Sequence, residues 1–373
     1  MERFQKQAIL ADLAKKMVLL AGPRQAGKTT LAKDLASEFS SSTYLNYDRM
    51  EDRKIFAKEA WLPSTELLIF DEIHKMPKWK TYLKGVYDTK PAHQKILVTG
   101  SARLEVFKQV GDSLAGRYFL HRLLPLSPAE CQKVHLDYPL DRFLERGGFP
   151  EPFLSNTLVD ANRWRLQYID SLLREDVLDF ENIQNLNAIR LVFELLRERV
   201  GSSISYTSIA EDVAISPNTV KKYIQILEAL YIVFRVTPFS RNIARSLLKE
   251  PKLYFFDTGL VKGDAGAKFE NLVASSLLKH VFAKIDYEAE PFSLHYLHTK
   301  DKHEVDFILA YDGQIEKLIE VKHKDSSIAP SLRYFHEKYQ LPAIQVVKEL
   351  KREWIDDKIE IVQGNNFLKS LFL

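Results

Sequence analysis

Short, unbroken apolar runs alternate with amphipathic stretches along the first third of the chain. MERFQKQAILADLAKK at the start reads as an amphipathic helix. Met17–Ala21 is apolar throughout and has the length of a buried strand, and a helical pattern covers Thr29–Phe39. Thr43–Asp48 reads as a short strand with a polar end, and Asp48–Ala60 as a charged helix. Glu66–Asp71, Lys95–Ser101 and Tyr118–Leu123 supply three more strand-like runs. Continuous apolar runs, in place of polar–apolar alternation, mark strands covered on both faces, as in a parallel sheet.

The pattern then changes. Ser127–Val200 is mostly helical, and Trp164–Asp176 places apolar residues at helical spacing. Thr207–Ala214 and Asn218–Leu230 are two helices joined at Ile215-Ser216-Pro217, with Ser216 as the cap and Pro217 at the first helical position. That is a helix-turn-helix. Two strand-like runs, Tyr231–Thr237 and Lys252–Asp257, flank a basic loop, so the unit resembles a winged helix. A helix from Gly266 to His280 follows. Strand-like runs then cover Ser293–His298, Val305–Tyr311 and Gln314–Lys322, with a helix at Leu332–Tyr339 and a strand at Ala343–Val347.

The chemistry is concentrated where strands end. Between the first strand and its helix stands GPRQAGKTT, which fits G-x-x-x-x-G-K-[ST]. Gly22 and Gly27 allow backbone angles that a Cβ forbids. Pro23, Arg24, Gln25, Ala26 and Thr30 complete a loop whose N–H groups would converge on phosphate oxygens at a helix N-terminus. Lys28 would reach the β- and γ-phosphates of ATP, and the Thr29 hydroxyl would ligate Mg2+. Asp71 and Glu72 end a buried strand at the sheet's C-terminal edge. Asp71 would hold Mg2+ through water, and Glu72 would polarise the attacking water as a general base. Thr99 or Ser101 would touch the γ-phosphate or the water, unless they are ordinary strand-end hydroxyls. Arg117 would stabilise transition-state charge on a neighbouring subunit's nucleotide, cap a helix, or pair with a surface carboxylate.

Composition narrows the picture. At 373 residues the chain has room for two to four domains, and its net charge of +3 means that any basic patch is local. The single cysteine, Cys131, excludes an internal disulfide and a cysteine-based zinc site, and fits a reducing cytoplasm. No apolar run approaches the roughly 18 residues of a membrane span, and the N-terminus lacks the apolar core of a signal peptide. Between Ser216 and Lys252 seven bases (Lys221, Lys222, Arg235, Arg241, Arg245, Lys249 and Lys252) stand against Glu228 and Glu250, a local excess of +5. Such an excess on a helix-turn-helix is an electrostatic footprint of DNA binding, with Asn218, Lys221, Lys222, Arg241 and Arg245 as contacts. The alternative is a winged helix used for packing or protein contacts.

The order of strand, phosphate loop, helix, strand, acidic strand, hydroxyl strand and arginine resembles the AAA+ division of P-loop ATPases. GPRQAGKTTL, DEIHKMPKWK, TGSAR, SLAGR and Gly147-Gly-Phe-Pro-Glu151 together resemble a large bacterial and archaeal family of AAA+-type ATPases that carry a C-terminal domain of unknown function. The resemblance covers essentially the whole chain. His74 departs from it, since relatives often carry Gln there; a surface histidine or a γ-phosphate contact are the two expectations. The resemblance implies a helical lid over the nucleotide, with Arg174 as a lid arginine or in a structural ion pair.

Asp306 at the start of one strand and Glu320-Val-Lys322 on the next resemble the PD-(D/E)xK nuclease pattern, without the proline that often precedes its first acid. In an extended strand Glu320 and Lys322 share a face. Asp306 and Glu320 would then hold Mg2+, and Lys322 would position water or neutralise developing charge on the scissile phosphate. Glu270, on the preceding helix, resembles the extra acid of that fold.

The expected fold class is α/β. An AAA+-type P-loop core spans 1–126, a helical lid 127–200, a winged helix 201–262 and a restriction-endonuclease-like domain 263–373. The expected function is Mg2+-dependent ATP hydrolysis acting on or with DNA, in a cytoplasmic protein; an Arg117 acting in trans would imply a homo-oligomer, and an Arg117 capping a helix would not. The rivals are an ATP-regulated DNA nuclease and a signalling ATPase that recruits a protein partner.

Overall fold

A computed structural model describes residues 2–100, 114–177, 185–239, 250–299 and 303–373. By its internal contacts the chain divides into two units, Met1–Leu124 and Pro125–Leu373.

In the first unit α1 (Lys6–Leu13) leads into β1 (Met17–Ala21), α2 (Lys28–Ala36), β2 (Ser42–Asn46), α3 (Met50–Lys58) and β3 (Leu67–Asp71). Then come α4 (Trp79–Thr89), β4 (Lys95–Thr99) and β5 (Tyr118–Arg122). Among the described residues the strands form one parallel sheet in the order β2-β3-β4-β1-β5. Each expected strand is present. The helix after the phosphate loop stops at Ala36 and not at Phe39, where the Ser37 hydroxyl bonds the Asp34 carbonyl at 2.7 Å and competes with the helical ladder.

The apolar runs are two-sided, as a parallel sheet demands. Val18, Leu20, Leu67, Ile69 and Leu97 face Ile9, Leu13, Leu31 and Leu35 of α1 and α2. Met17, Leu19, Phe70, Ile96 and Val98 face Phe56, Trp79, Leu83 and Val86 of α3 and α4. Each fully buried Leu, Val or Phe contributes about 1.5–3 kcal/mol. This rigid slab fixes the strand ends where the polar residues sit.

The second unit begins with helices α5 (Pro128–Lys133), α6 (Leu140–Arg146), α7 (Pro150–Leu154), α8 (Leu158–Ser171) and α9 (Leu186–Glu198). Next are α10 (Tyr206–Val213) and α11 (Pro217–Ala229), with the turn as the sequence implies. The Ser216 hydroxyl accepts from Thr219 N at 3.1 Å, with Pro217 starting the helix.

The remaining elements are β6 (Val233–Pro238), β7 (Lys252–Phe255), α12 (Ala265–Glu288), β8 (Phe292–His298), β9 (Glu304–Tyr311), β10 (Gln314–Lys322), α13 (Pro330–Tyr339), β11 (Ala343–Val347), β12 (Trp354–Asp356), β13 (Ile359–Gln363) and α14 (Gly364–Ser370). Among the described residues these strands make one eight-stranded sheet, β12-β13-β11-β10-β9-β8-β6-β7. The two strands after the helix-turn-helix are therefore continuous with the C-terminal strands, and the sheet runs across the boundary expected at 262. Two ties gather the unit's helical start onto its end. Lys279 of α12 is buried against Glu130 and donates to the Pro125 carbonyl at 2.9 Å. Asp257 accepts from Gly148 N at 2.5 Å beneath the Gly147-Gly148 pair.

That second tie explains the Gly-Gly-Phe-Pro-Glu stretch. Gly147 has φ +79°, and a Cβ there would lie 2.2 Å from an Asp257 carboxylate oxygen. A Cβ at Gly148 would meet the Leu126 carbonyl at 2.3 Å. Asp257 is fully buried, which pushes its carboxyl up to about 6, against the pull of the backbone N–H groups around it. Among the described residues no helix is long and apolar enough to cross a membrane.

Candidate nucleotide site and a second carboxylate centre

The phosphate loop has the backbone its sequence implies. Gly22 has φ +151°, with the Leu123 carbonyl 2.2 Å from where a Cβ would be, and Gly27 has φ +96° at the start of α2. Gln25 also adopts a left-handed conformation, and Ala26 is buried. Arg3 clamps the loop, donating to the carbonyls of Ala26 and Leu124 at 2.7 Å each. Pro23 is buried, whereas Arg24, Gln25, Thr29 and Thr30 are exposed. The Lys28 ammonium lies within the loop, 2.9 Å from Gly22 O and 2.6 Å from Pro23 O. Backbone carbonyls hold it without neutralising it.

The sheet order places β4 between β1 and β3, and that brings the polar ends together. Asp71 is buried and accepts three hydroxyls: Thr99 on Oδ1 at 2.6 Å, Thr29 on Oδ2 at 3.1 Å and Tyr44 on Oδ2 at 2.5 Å. All three donors are neutral. The Thr29 and Asp71 oxygens are hard donors side by side, and they fit Mg2+ in the presence of phosphate ligands. Glu72 follows in a left-handed conformation (φ +56°), its N–H bound to Thr99 O at 3.0 Å. Its carboxylate lies 3.5 Å from Lys75 and 3.6 Å from His74. Burial raises its pKa, and Lys75, held by Asp48 at 2.7 Å, opposes the rise.

Tyr44 and Arg3 were not legible as site residues. Tyr44 lies on β2, opposite Ile69, and only the strand pairing turns it towards Asp71. His74 corrects an expectation: it is buried at 7 % exposure beside Glu72, not at the surface. Arg117 makes a two-pronged pair with Asp88 at 2.8 and 3.0 Å, the surface-carboxylate alternative. Arg174 pairs with Asp170 at 2.8 Å. Ser101 lies outside the described residues.

In the second unit Asn218, Lys221 and Lys222 are exposed on α11, while Val220, Tyr223, Ile224 and Leu227 of the same helix are buried. Arg241, Arg245 and Lys249 lie outside the described residues. Two of the seven bases do not face solvent as free charges. Arg235 pairs with Glu228 at 2.7 Å, and Lys252 is only 3 % exposed. The Arg235–Glu228 pair is already netted in the excess of +5, so only the burial of Lys252 lowers it, by one charge.

Lys252 points into the carboxylates expected to hold metal. Its Nζ is 2.5 Å from Glu304 Oε1 and 3.6 Å from Asp306 Oδ1. Asp306 Oδ2 accepts from Val321 N at 2.9 Å. Glu320 Oε1 accepts from Lys322 at 2.7 Å, and Glu270 Oε1 from the Tyr254 hydroxyl at 2.7 Å. Among the described residues no group of three His, Cys, Asp or Glu side chains is arranged to hold a metal ion. The acids expected to hold a cation thus have the Tyr254 hydroxyl on Glu270, the Val321 N–H and the Lys252 charge at Asp306, and the Lys322 ammonium on Glu320. Glu320 Oε2 is buried without a hydrogen-bond partner. Burial, reinforced by Asp306, pushes both Glu270 and Glu320 up to about 7, against Lys252 at the first and Lys322 at the second.

Comparison with known proteins agrees with the first unit. Residues 14–132 match the model of the AAA domain. Residues 138–268 and 265–367 match two models described as domains of unknown function, DUF8612 and DUF4143. An uncharacterized protein of Mycobacterium tuberculosis is 25 % identical over 346 residues, covering 89 % of this chain and 76 % of its own. An uncharacterized protein of Methanocaldococcus jannaschii is 24 % identical over 396 residues, covering 95 % and 84 %. Among solved structures, a Walker-type ATPase of Pyrococcus abyssi is 16 % identical with a TM-score of 0.42, over 62 % of this chain and 90 % of that one. The AAA match, the parallel sheet and the phosphate loop together support an AAA-type P-loop fold for the first unit.

Proposed function

We propose that the protein is a Mg2+-dependent ATPase of AAA+ type whose nucleotide site is built from residues 22–30, Asp71, Glu72 and Thr99. One observation carries this reading. Lys28, Thr29, Asp71, Thr99 and Glu72 come from three separate stretches and meet at one edge of the sheet, with Asp71 accepting the hydroxyls of Thr29, Thr99 and Tyr44. The loop N–H groups would bind the phosphates, and the Lys28 ammonium would leave the Gly22 and Pro23 carbonyls for the β- and γ-oxygens. Bound Mg2+ would supply charge neutralisation at the phosphates, with Thr29 and Asp71 holding it. Glu72 would take a proton from the attacking water, a role helped by the upward shift of its pKa.

The exposed face of α11, with Asn218, Lys221 and Lys222, supports DNA as the partner of a winged helix formed by α10, α11, β6 and β7. We read 1–126 as the ATPase core, 127–200 as a helical lid, 201–262 as that winged helix and the remainder as a nuclease-like fold. DNA cleavage is left out of the proposal, because the Lys252 ammonium already lies against Glu304 and Asp306. Assembly through Arg117 would require its pair with Asp88 to open. The internal use of Arg235 and Lys252 favours the second reading, an ATPase switch that binds a protein partner.

ATP turnover by the wild type beside Lys28→Ala tests the first claim. Turnover lost with Lys28→Ala is expected; equal turnover in the two would refute it. Reversing charge at Lys221 and Lys222 separates the partner readings. Salt-dependent DNA binding that falls in the variant is the DNA outcome, and no binding by either protein is the other.

A further inference from the structure

Lys252 heads β7 and reaches the acids of β9, although two strands stand between β7 and β9 in the sheet. Its position is enclosed. The side chain is 4 % exposed, and the Tyr296 ring lies 5.5 Å from Nζ. An isolated ammonium so placed would lose its proton or be driven out. The Glu304 and Asp306 carboxylates, 2.5 and 3.6 Å from Nζ, supply the counter-charge that keeps it in place. An ammonium and a divalent cation need the same anionic field and the same oxygen lone pairs, so they compete for one place.

We propose that Lys252 is an internal cation that stands in for a divalent metal between Glu304 and Asp306, and keeps this centre free of metal. The centre is then structural. It ties the strand pair that follows the helix-turn-helix to the C-terminal sheet through an ion pair whose ammonium is buried and whose acids are half-buried. Lys322 plays the parallel part at Glu320, and the Val321 N–H at Asp306. The inference concerns the second unit alone and stands whether or not the first hydrolyses ATP.

The test is a Mn2+ titration followed by electron paramagnetic resonance, on the full chain without nucleotide. Asp71→Asn serves as the background, so that the first unit's carboxylate does not count. That background is expected to bind no Mn2+ up to millimolar concentration. Adding Lys252→Met is expected to create a site with roughly tenfold or greater gain in affinity, lost again with Asp306→Asn. If Lys252→Met fails to fold alone, Mn2+ is expected to restore its circular dichroism and raise its unfolding temperature.

Three results would overturn the proposal. One is stoichiometric Mn2+ in the background that Asp306→Asn removes. Another is a folded Lys252→Met variant that binds no Mn2+. The third is an unfolded variant that Mn2+ does not rescue.

Discussion

The two carboxylate centres are built from the same materials and poised differently. At Asp71 the donors are hydroxyls of Thr29, Thr99 and Tyr44, and the nearby lysine is seated on backbone carbonyls. Hydroxyl bonds orient a carboxylate but leave its charge, so the site still calls for a cation. At Asp306 the donor is the Val321 N–H, and the Lys252 ammonium stands beside it on Glu304, with Lys322 on Glu320. There the cationic charge is already present within the fold. Acids at strand ends do not by themselves make a metal site; what decides is whether their partners are neutral or charged.

That contrast can be broken at four points. The largest effect is expected from Glu72→Gln. It should cut ATP turnover by roughly 10²–10⁴-fold and leave nucleotide binding intact, measured as steady-state hydrolysis beside ATP affinity. Loss of binding together with turnover would make Glu72 structural.

Next is Lys252→Met. In metal-free buffer it should destabilise the protein by about 1–3 kcal/mol, because half-buried carboxylates lose their counter-charge. Urea denaturation reads the difference, and a change near zero would mean that Lys252 is incidental.

The third is a pH dependence. Glu270 and Glu320 titrate near 7 in the folded chain, above the ordinary glutamate value. The folded state therefore holds more protons than the unfolded chain between about pH 4.5 and 7, and stability contributed by these groups falls as pH rises through that window. Glu320→Gln should flatten the slope relative to wild type in denaturation curves across that window. An unchanged slope would refute the assignment.

The smallest effect is at Tyr44. Its hydroxyl occupies Asp71 Oδ2, so Tyr44→Phe should lower the Mg2+ concentration needed for half-maximal turnover by a few-fold. A requirement that rises would mean that Tyr44 orients Asp71 for the metal.

A half-buried histidine adds a difference outside both centres. His280 Nδ1 accepts from Phe372 N at 2.9 Å, and burial, helped by Lys284, lowers its pKa to about 4. The sign is opposite to that of the glutamates, since the unfolded chain takes up the proton first. Its contribution is complete above the ordinary histidine pKa and is lost as pH falls towards 4.

What the sequence determined by itself is local. The spacing of GPRQAGKTT dictates the loop, because two glycines and a lysine act within one turn of chain. The unbroken apolar runs dictate buried strands, and Ser216-Pro217 dictates the helix start. Asp71 and Glu72 follow from their place at a strand end. Tertiary structure decided which charges meet. Lys252 reads in the sequence as one more base in a basic stretch, and only the eight-stranded sheet carries it to Glu304 and Asp306. Tyr44 at Asp71, Asp257 under Gly147-Gly148, and Asp88 at Arg117 are of the same kind. The reason is electrostatic. The state of a carboxylate depends on every group within a few ångströms, and those groups come from segments far apart in the chain, at distances that spacing along it does not encode.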